Sequence, residues 1–331
     1  MTVLVSGGAG YIGSHVVKAL LAGGRSVVVV DNLYNGFRQS VDGVPIIVGD
    51  IADEELIRRT CLEFSVTDAI HFAALKSVGE SMEQPHRYYE KNVGGTVRFT
   101  RALMNSGVTR LVFSSSASVY GTPSKMPVTE LSPRNPESVY AATKAVMEEY
   151  FRFCEPLGLS TVSLRYFNAA GASSDCTIGE DWSTTHNLIP RMMRALLTGG
   201  ERLSLFGTDY PTPDGTCIRD YIHVEDLADA HLRALDYLSK GNGSTAINVG
   251  TGSGSSVREV IAMVEEVSGL KVPVIETDRR PGDPPAVYAD ASLAKELLGW
   301  KARQGLRGIV ESSYRWHRRN PYGYVFPIST N

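Results

Sequence analysis

Tyr140 and Lys144 stand four residues apart in the stretch SVYAATKAVMEEYF, residues 138–151, and of fifteen tyrosines only Tyr140 has a lysine at this spacing. On a helix, positions i and i+4 share a face with about 6 Å of rise between them. A free phenol gives up its proton near ~10 and is no base at neutral pH. A neighbouring ammonium favours the phenolate, so the pair could move a proton to and from a substrate hydroxyl. The helix should begin near Ser138, just past the proline-rich 132–136. Upstream, the apolar run 111–114 leads into Ser114-Ser115-Ser116-Ala117-Ser118. A serine at such a strand end can hydrogen-bond the same substrate oxygen; Ser116 is the expected residue and Ser115 the alternative.

A second chemical signal lies at the start of the chain. Gly7, Gly10 and Gly13 fall in GGAGYIG, directly after an apolar strand pattern and at the opening of a helical one. Glycines at this spacing permit a tight turn and close approach of backbone to a pyrophosphate, which the helix N-terminus then faces. Asp31 follows Gly13 by eighteen residues, at the end of the second strand pattern. A carboxylate there accepts from the adenosine ribose and repels a 2′-phosphate, so NAD is expected rather than NADP. Asp50-Ile51, after the third strand pattern, reads equally well as an adenine-side contact or as a helix cap. An oxidised nicotinamide would add a second cation beside Tyr140. Lowering a phenol by roughly 3 units takes about 4 kcal/mol, which two partly desolvated cations can supply at an effective dielectric near ~20.

These groups need elements to hold them. Short apolar runs at 2–6, 26–30, 46–48, 69–72, 111–114 and 161–165 alternate with helical patterns at 11–22, 54–63, 88–105 and 139–154. That alternation predicts an α/β protein whose parallel sheet is covered by helices on both faces. After residue 165 the chain turns rich in Gly, Pro, Thr and Asp, with helices expected at 188–197 and 257–267 and a strand at 246–249. The second half reads as a smaller mixed α/β region partly threaded back into the sheet.

Bulk composition narrows the possibilities. The chain has 331 residues, 43% of them apolar, and 33 basic against 36 acidic residues give a net charge of −3. A large core is expected, with no nucleic-acid partner. No apolar run is long enough to span a membrane. Four scattered cysteines without a CxxC pair fit a reducing cytoplasm, and no Cys/His grouping has metal-ligand spacing. The basic cluster Arg315, Arg318 and Arg319 reads as a solvated helix face, and His223 as a structural histidine.

With these features in order, the runs GGAGYIGSH, IHFAALKSVGES, FSSSASVYG, YAATK, LRYFNAAGA and LFGTDYPTPDGTCIRDYIHVEDLADAH stand out. Over roughly residues 1–324 the chain resembles the extended short-chain dehydrogenase/reductase family and, within it, the C4 epimerases of UDP-hexoses. The resemblance implies a Rossmann-type doubly wound domain over 1–167, with a return segment near 222–250. A smaller substrate domain would occupy 168–331. Ser116, Tyr140 and Lys144 would be catalytic, Lys144 also touching the nicotinamide ribose. Gly7, Gly10, Tyr11, Ile12, Gly13, Asp31 and Asn32 would hold NAD. So would Asp50, Ile51, Phe72, Ala73, Ala74, Lys76, Asn92, Ser114 and Tyr166. UDP would be held by Asn168, Asn187, Leu188, Phe206, Arg219, Arg280 and Asp283, with Lys76 also near the substrate. Two arginines suit a diphosphate.

The implied activity is reversible C4 epimerisation between UDP-galactose and UDP-glucose through a 4-keto sugar, with transient reduction of NAD, in a cytoplasmic homodimer. Val287, a small residue in an aligned position, would leave room for a 2-acetamido group on UDP-GlcNAc or UDP-GalNAc. UDP-pentoses are a further alternative. A nucleotide-sugar 4,6-dehydratase would want an Asp-Glu after the strand-end serine, where this chain has Ala117-Ser118. An NAD-sensing regulator could dispense with Tyr140 and Lys144. The tail 325–331 has no counterpart in the family.

Overall fold

The computed structural model of the protein describes residues 1–183, 187–280 and 282–324. The expectation about the tail 325–331 therefore lies outside the described residues. Seven strands form the central sheet: β1 (Thr2–Ser6), β2 (Ser26–Asp31), β3 (Ile46–Val48), β4 (Val66–His71), β5 (Arg110–Ser116), β6 (Ser160–Tyr166) and a returning strand, Thr245–Val249. Their order is Thr245–Val249, β6, β5, β4, β1, β2, β3, and every pairing is parallel. The direction of growth reverses between β1 and β4, so a crevice opens beyond the C-terminal ends of those two strands.

Strand alternation sends side chains to both faces, and both faces are apolar. Val3, Val5, Val27 and Val29 pack with Val16, Leu20, Leu227 and Ala230. Leu4, Val28 and Val30 pack on the other side with Ile57, Phe99, Leu103 and Phe151. The first cluster is closed by helix α1 (Tyr11–Ala22) and helix Val224–Ser239. The second is closed by α2 (Glu54–Glu63), α5 (Gly95–Asn105) and α6 (Val139–Cys154), with the short α3 (Val78–Glu83) and α4 (Pro85–Tyr88) leading into α5. Each fully buried Leu or Phe contributes roughly 1.5–3 kcal/mol.

One expectation needs correcting. The single helix read over 88–105 is broken: α4 passes into a π-helical turn at Tyr89–Gly94 before α5 begins. The wider turn shifts the register of the side chains that follow, and it carries Asn92, which is buried. An apolar pattern cannot reveal one extra residue per turn.

The second half forms two- and three-stranded sheets. Tyr221–His223 pairs with Asn168–Ala170, Val274–Thr277 pairs with Leu203–Phe206, and Ile218–Arg219 lies between Ser255–Ser256 and Ala286–Val287. Helices Leu188–Thr198, Val257–Ser268 and Leu306–Arg319 share a third core of Ile189, Met192, Val260, Val264 and Ile309. The Arg315–Arg319 cluster sits at the end of the last helix. His223 is buried, where it meets Ser312 at 3.0 Å and accepts from the Glu225 amide, the structural role expected of it.

Candidate active site

Ser138 caps α6, its hydroxyl accepting from the Ala141 amide at 3.2 Å, so Tyr140 falls in the first turn and Lys144 one turn on. Tyr140 is half-buried and Lys144 fully so. The Lys144 Nζ donates to the Ser114 carbonyl at 2.7 Å and lies 5.8 Å from the Tyr140 ring centre and 4.7 Å from that of Phe113. At the end of β5, alternation separates the serines. Ser116 lines the cavity and its Oγ accepts from the Ser118 hydroxyl at 2.9 Å, while Ser115 is buried and donates to Glu148. Ser116, rather than Ser115, shares the cavity with Tyr140.

The electrostatics differ from expectation. Burial pushes the Tyr140 phenol up to about 12, opposed by its hydrogen bond with Ser116. Burial also drives Lys144 down to about 7, opposed by the carboxylate of Glu148. A lysine four residues away does not by itself make Tyr140 a phenolate, because both groups are withdrawn from water and each charged form is penalised. Further positive charge beside Tyr140 would be needed to favour its phenolate.

Tyr140, Lys144, Ser114, Ser116 and Tyr166 line a cavity of about 560 Å³ that continues past Gly7, Gly10, Tyr11, Ile12 and Gly13 to Asp31 and Asn32. Asp50, Ile51, Phe72, Ala73, Ala74, Lys76 and Asn92 line it too. The glycine loop fits a dinucleotide. A Cβ on Gly13 would lie 2.3 Å from the Gly7 carbonyl oxygen, and one on Gly7, whose φ is +71°, would lie 2.6 Å from the Ala73 amide. Only glycine permits this packing of loop, helix and strand end. Gly10 at the N-cap of α1 offers no capping side chain, which leaves the first amides of the helix to a ligand. Asp31 accepts from the Ala9 amide at 3.0 Å and the Leu33 amide at 2.8 Å, and burial raises its pKa. The helix-cap reading of Asp50 is corrected: Asp53 caps α2, accepting from the Leu56 amide, whereas Asp50 accepts from Ala52 in the preceding turn, pairs with Lys91 at 3.0 Å and lines the cavity. Asn92 clamps Leu75, accepting from its amide at 2.8 Å and donating to its carbonyl at 3.0 Å.

The residues expected to hold UDP divide into groups. Asn168 and Asn187 line the same cavity. Leu188 packs against the third core at the head of its helix. Phe206, Arg219, Arg280 and Asp283 gather elsewhere, on the small sheets. The Arg280 guanidinium lies 4.5 Å from the Phe206 ring centre, and Asp283 accepts from Arg280 at 3.1 Å and from Arg219 at 3.4 Å. Val287 is buried in the strand beside Arg219. The large cavity does not extend to this cluster among the described residues.

Sequence reasoning missed several lining residues. Glu180 is buried, faces the cavity, accepts from Asn187 at 2.7 Å and lies 3.9 Å from Lys76. Tyr34 and Arg87 line the cavity too and meet each other, guanidinium to ring centre 5.4 Å. Nothing local marks them, since each acquires its partner from a segment distant in the chain. Among the described residues no helix is long and apolar enough to cross a membrane.

The chain is similar to known proteins over nearly its whole length. The model of the NAD dependent epimerase/dehydratase family matches residues 3–250. A UDP-glucose 4-epimerase of Halalkalibacterium halodurans is 44% identical, covering 98% of this chain and 98% of its own. Among solved structures, a UDP-glucose-4-epimerase from Stenotrophomonas maltophila with bound NAD and formylated UDP-arabinopyranose aligns with a TM-score of 0.94 at 40% identity, over 97% of this chain and 99% of that one. The UDP-glucose 4-epimerase from Bifidobacterium longum in complex with NAD+ and UDP aligns at 0.92 and 38%, over 98% and 100%.

Proposed function

Because the chain belongs to the NAD dependent epimerase/dehydratase family, we propose that it is an isomerase that interconverts UDP-galactose and UDP-glucose by inverting C4 of the hexose. The observation that carries this reading is the meeting of Tyr140, Lys144 and Ser116 with the glycine loop and Asp31 on one cavity. NAD, when bound, supplies a two-electron acceptor that is reduced and reoxidised at C4 within each turn.

The chain's own residues do the rest. Gly7, Gly10 and Gly13 admit the pyrophosphate, and Asp31 takes the adenosine ribose. Tyr140 Oη takes the proton of the 4-hydroxyl as C4 becomes a ketone. It returns a proton to the same oxygen once the sugar has turned its other face. Ser116 Oγ hydrogen-bonds that oxygen in both orientations. Arg219 and Arg280 hold the diphosphate and Phe206 meets the uracil, so the nucleotide stays fixed while the hexose rotates. Residues 1–167 with the return near 222–250 hold the cofactor, and 168–331 hold UDP. The protein works as a homodimer in the cytoplasm. Four unpaired cysteines support the compartment, and exposed Val146 and Phe153 on α6 support a face for the second copy.

The direct test is incubation of purified protein with UDP-galactose and no added cofactor, following UDP-glucose. Release of NAD on denaturation without any conversion would favour a redox-sensing regulator instead.

Two further outcomes are expected. Asp31→Asn removes the charge and leaves an acceptor for only one of the Ala9 and Leu33 amides, which bond to different carboxylate oxygens. It should weaken NAD about tenfold and narrow the preference over the 2′-phosphorylated form, as read by titrating each cofactor. The pH dependence follows from Lys144 at about 7. With the phenol near 12 and the lysine near 7, the pair carries two protons below neutrality and one above it. Only the singly protonated pair contains the phenolate–ammonium form, so turnover should rise with pH through about 7 and then level. Lys144→Met should lose that rise along with most of the rate.

A further inference from the structure

We infer that Glu148, which itself moves no proton, is a positioning residue that holds Lys144 in its ammonium form beside Tyr140. This rests on the roles given above to Tyr140 and Lys144. The three residues fall at i, i+4 and i+8 of α6, so one helix face presents a phenol, an ammonium and a carboxylate in succession. The phenol end opens on the cavity and the carboxylate end is closed. The Glu148 side chain is only 4% exposed, a setting an acidic residue seldom takes without several partners.

Those partners come from β6, from β5 and from the segment before α6. From β6, Arg165 donates through Nε and Nη2 to the two carboxylate oxygens at 2.9 and 2.6 Å. From β5, Ser115 donates as well. From the segment before α6, Arg134 reaches in at 3.3 Å and also meets Glu149. Arg165 is buried in turn, donating to the Tyr120 hydroxyl at 2.9 Å and to the Glu130 carbonyl at 3.4 Å. Tyr120 donates to Asn248 at 2.7 Å, and the Asn248 amide donates to the Glu130 carboxylate. The carboxylate is thus fixed in place by the fork of a buried arginine.

Around Lys144 the other neighbours carry no negative charge near neutral pH. Ser114 offers a carbonyl, Phe113 a ring, and the Tyr166 hydroxyl pairs with Ser114. His71, on β4, is held neutral by burial, down to about 3. Glu148 is the anion that acts on the lysine. A buried ion pair serving packing alone could be replaced by apolar side chains of similar volume with little loss. The charge matters here because a neutral Lys144 leaves the proton on Tyr140.

Glu148→Gln tests this, since it keeps the shape and one acceptor oxygen, for Arg165 Nε and Ser115, while removing the charge and the oxygen that Arg165 Nη2 and Arg134 share. The pH at half-maximal turnover should fall by about one unit and the plateau rate by about tenfold, with KM for UDP-galactose unchanged. Glu148→Ala, a second neutral replacement, should move the midpoint the same way. Glu148→Asp, which keeps the charge, should leave it in place. A readout free of turnover is carbon-13 lysine NMR of the NAD-bound protein, with the Lys144 signal assigned through Lys144→Met. Its titration midpoint should fall in the neutral variants and stay in Glu148→Asp. A midpoint unmoved in folded Glu148→Gln or Glu148→Ala would overturn the inference. Absence of UDP-galactose conversion by the unsubstituted protein, with the NMR shift present, would overturn the epimerase reading and leave Glu148 in its role.

Discussion

Tyr140→Phe is expected to lower the interconversion of UDP-galactose and UDP-glucose by about 10²–10⁴-fold, the range for losing a positioned acid/base group. The fold and the bound cofactor should survive, since the ring stays and only one oxygen goes. No neighbour can substitute. The Ser116 hydroxyl already accepts from Ser118, and a serine is far too weak an acid to hold the charge. Lys144 donates to the Ser114 carbonyl and lies under the ring rather than at its hydroxyl. Product formation, the melting curve and the NAD released on denaturation together separate lost chemistry from lost structure. Turnover near that of the unsubstituted protein would remove Tyr140 from the mechanism.

Gly13→Ala should act instead on cofactor retention. Its Cβ would sit 2.3 Å from the Gly7 carbonyl oxygen and 2.8 Å from the Gly8 Cα, both backbone atoms that cannot swing aside. The first turn of α1 must then retreat from the loop whose amides face the pyrophosphate. Overpacking of this kind costs roughly 1–3 kcal/mol, so NAD should bind up to about 10²-fold more weakly. The purified variant should carry little NAD, melt earlier and regain activity only with added cofactor. Full NAD content after purification would show that the loop does not hold the pyrophosphate.

Much of the frame was legible beforehand, for local reasons. Helices at 11–22, 54–63 and 139–154 were bounded as observed, because each has a strong apolar period and a capping residue or glycine at its head. Strand alternation separates Ser115 from Ser116: adjacent residues of β5 face opposite sides, one toward Glu148 and one toward the cavity. The break at Tyr89–Gly94 was invisible, since a π turn keeps an ordinary helical composition. Nor does the sequence pattern delimit helix Val224–Ser239, which closes one face of the sheet.

The sequence by itself determined the parallel α/β frame, the glycine loop with its acid at the end of β2, and the tyrosine–lysine pair on one helix face. All are set by spacing within a few turns or strands. Tertiary structure decided the charges. Burial pushes Tyr140 up to about 12, opposed by Ser116, and drives Lys144 down to about 7, opposed by Glu148, which Arg165 holds from β6. Desolvation and through-space charge depend on what the whole chain packs around a group, and no local spacing encodes that.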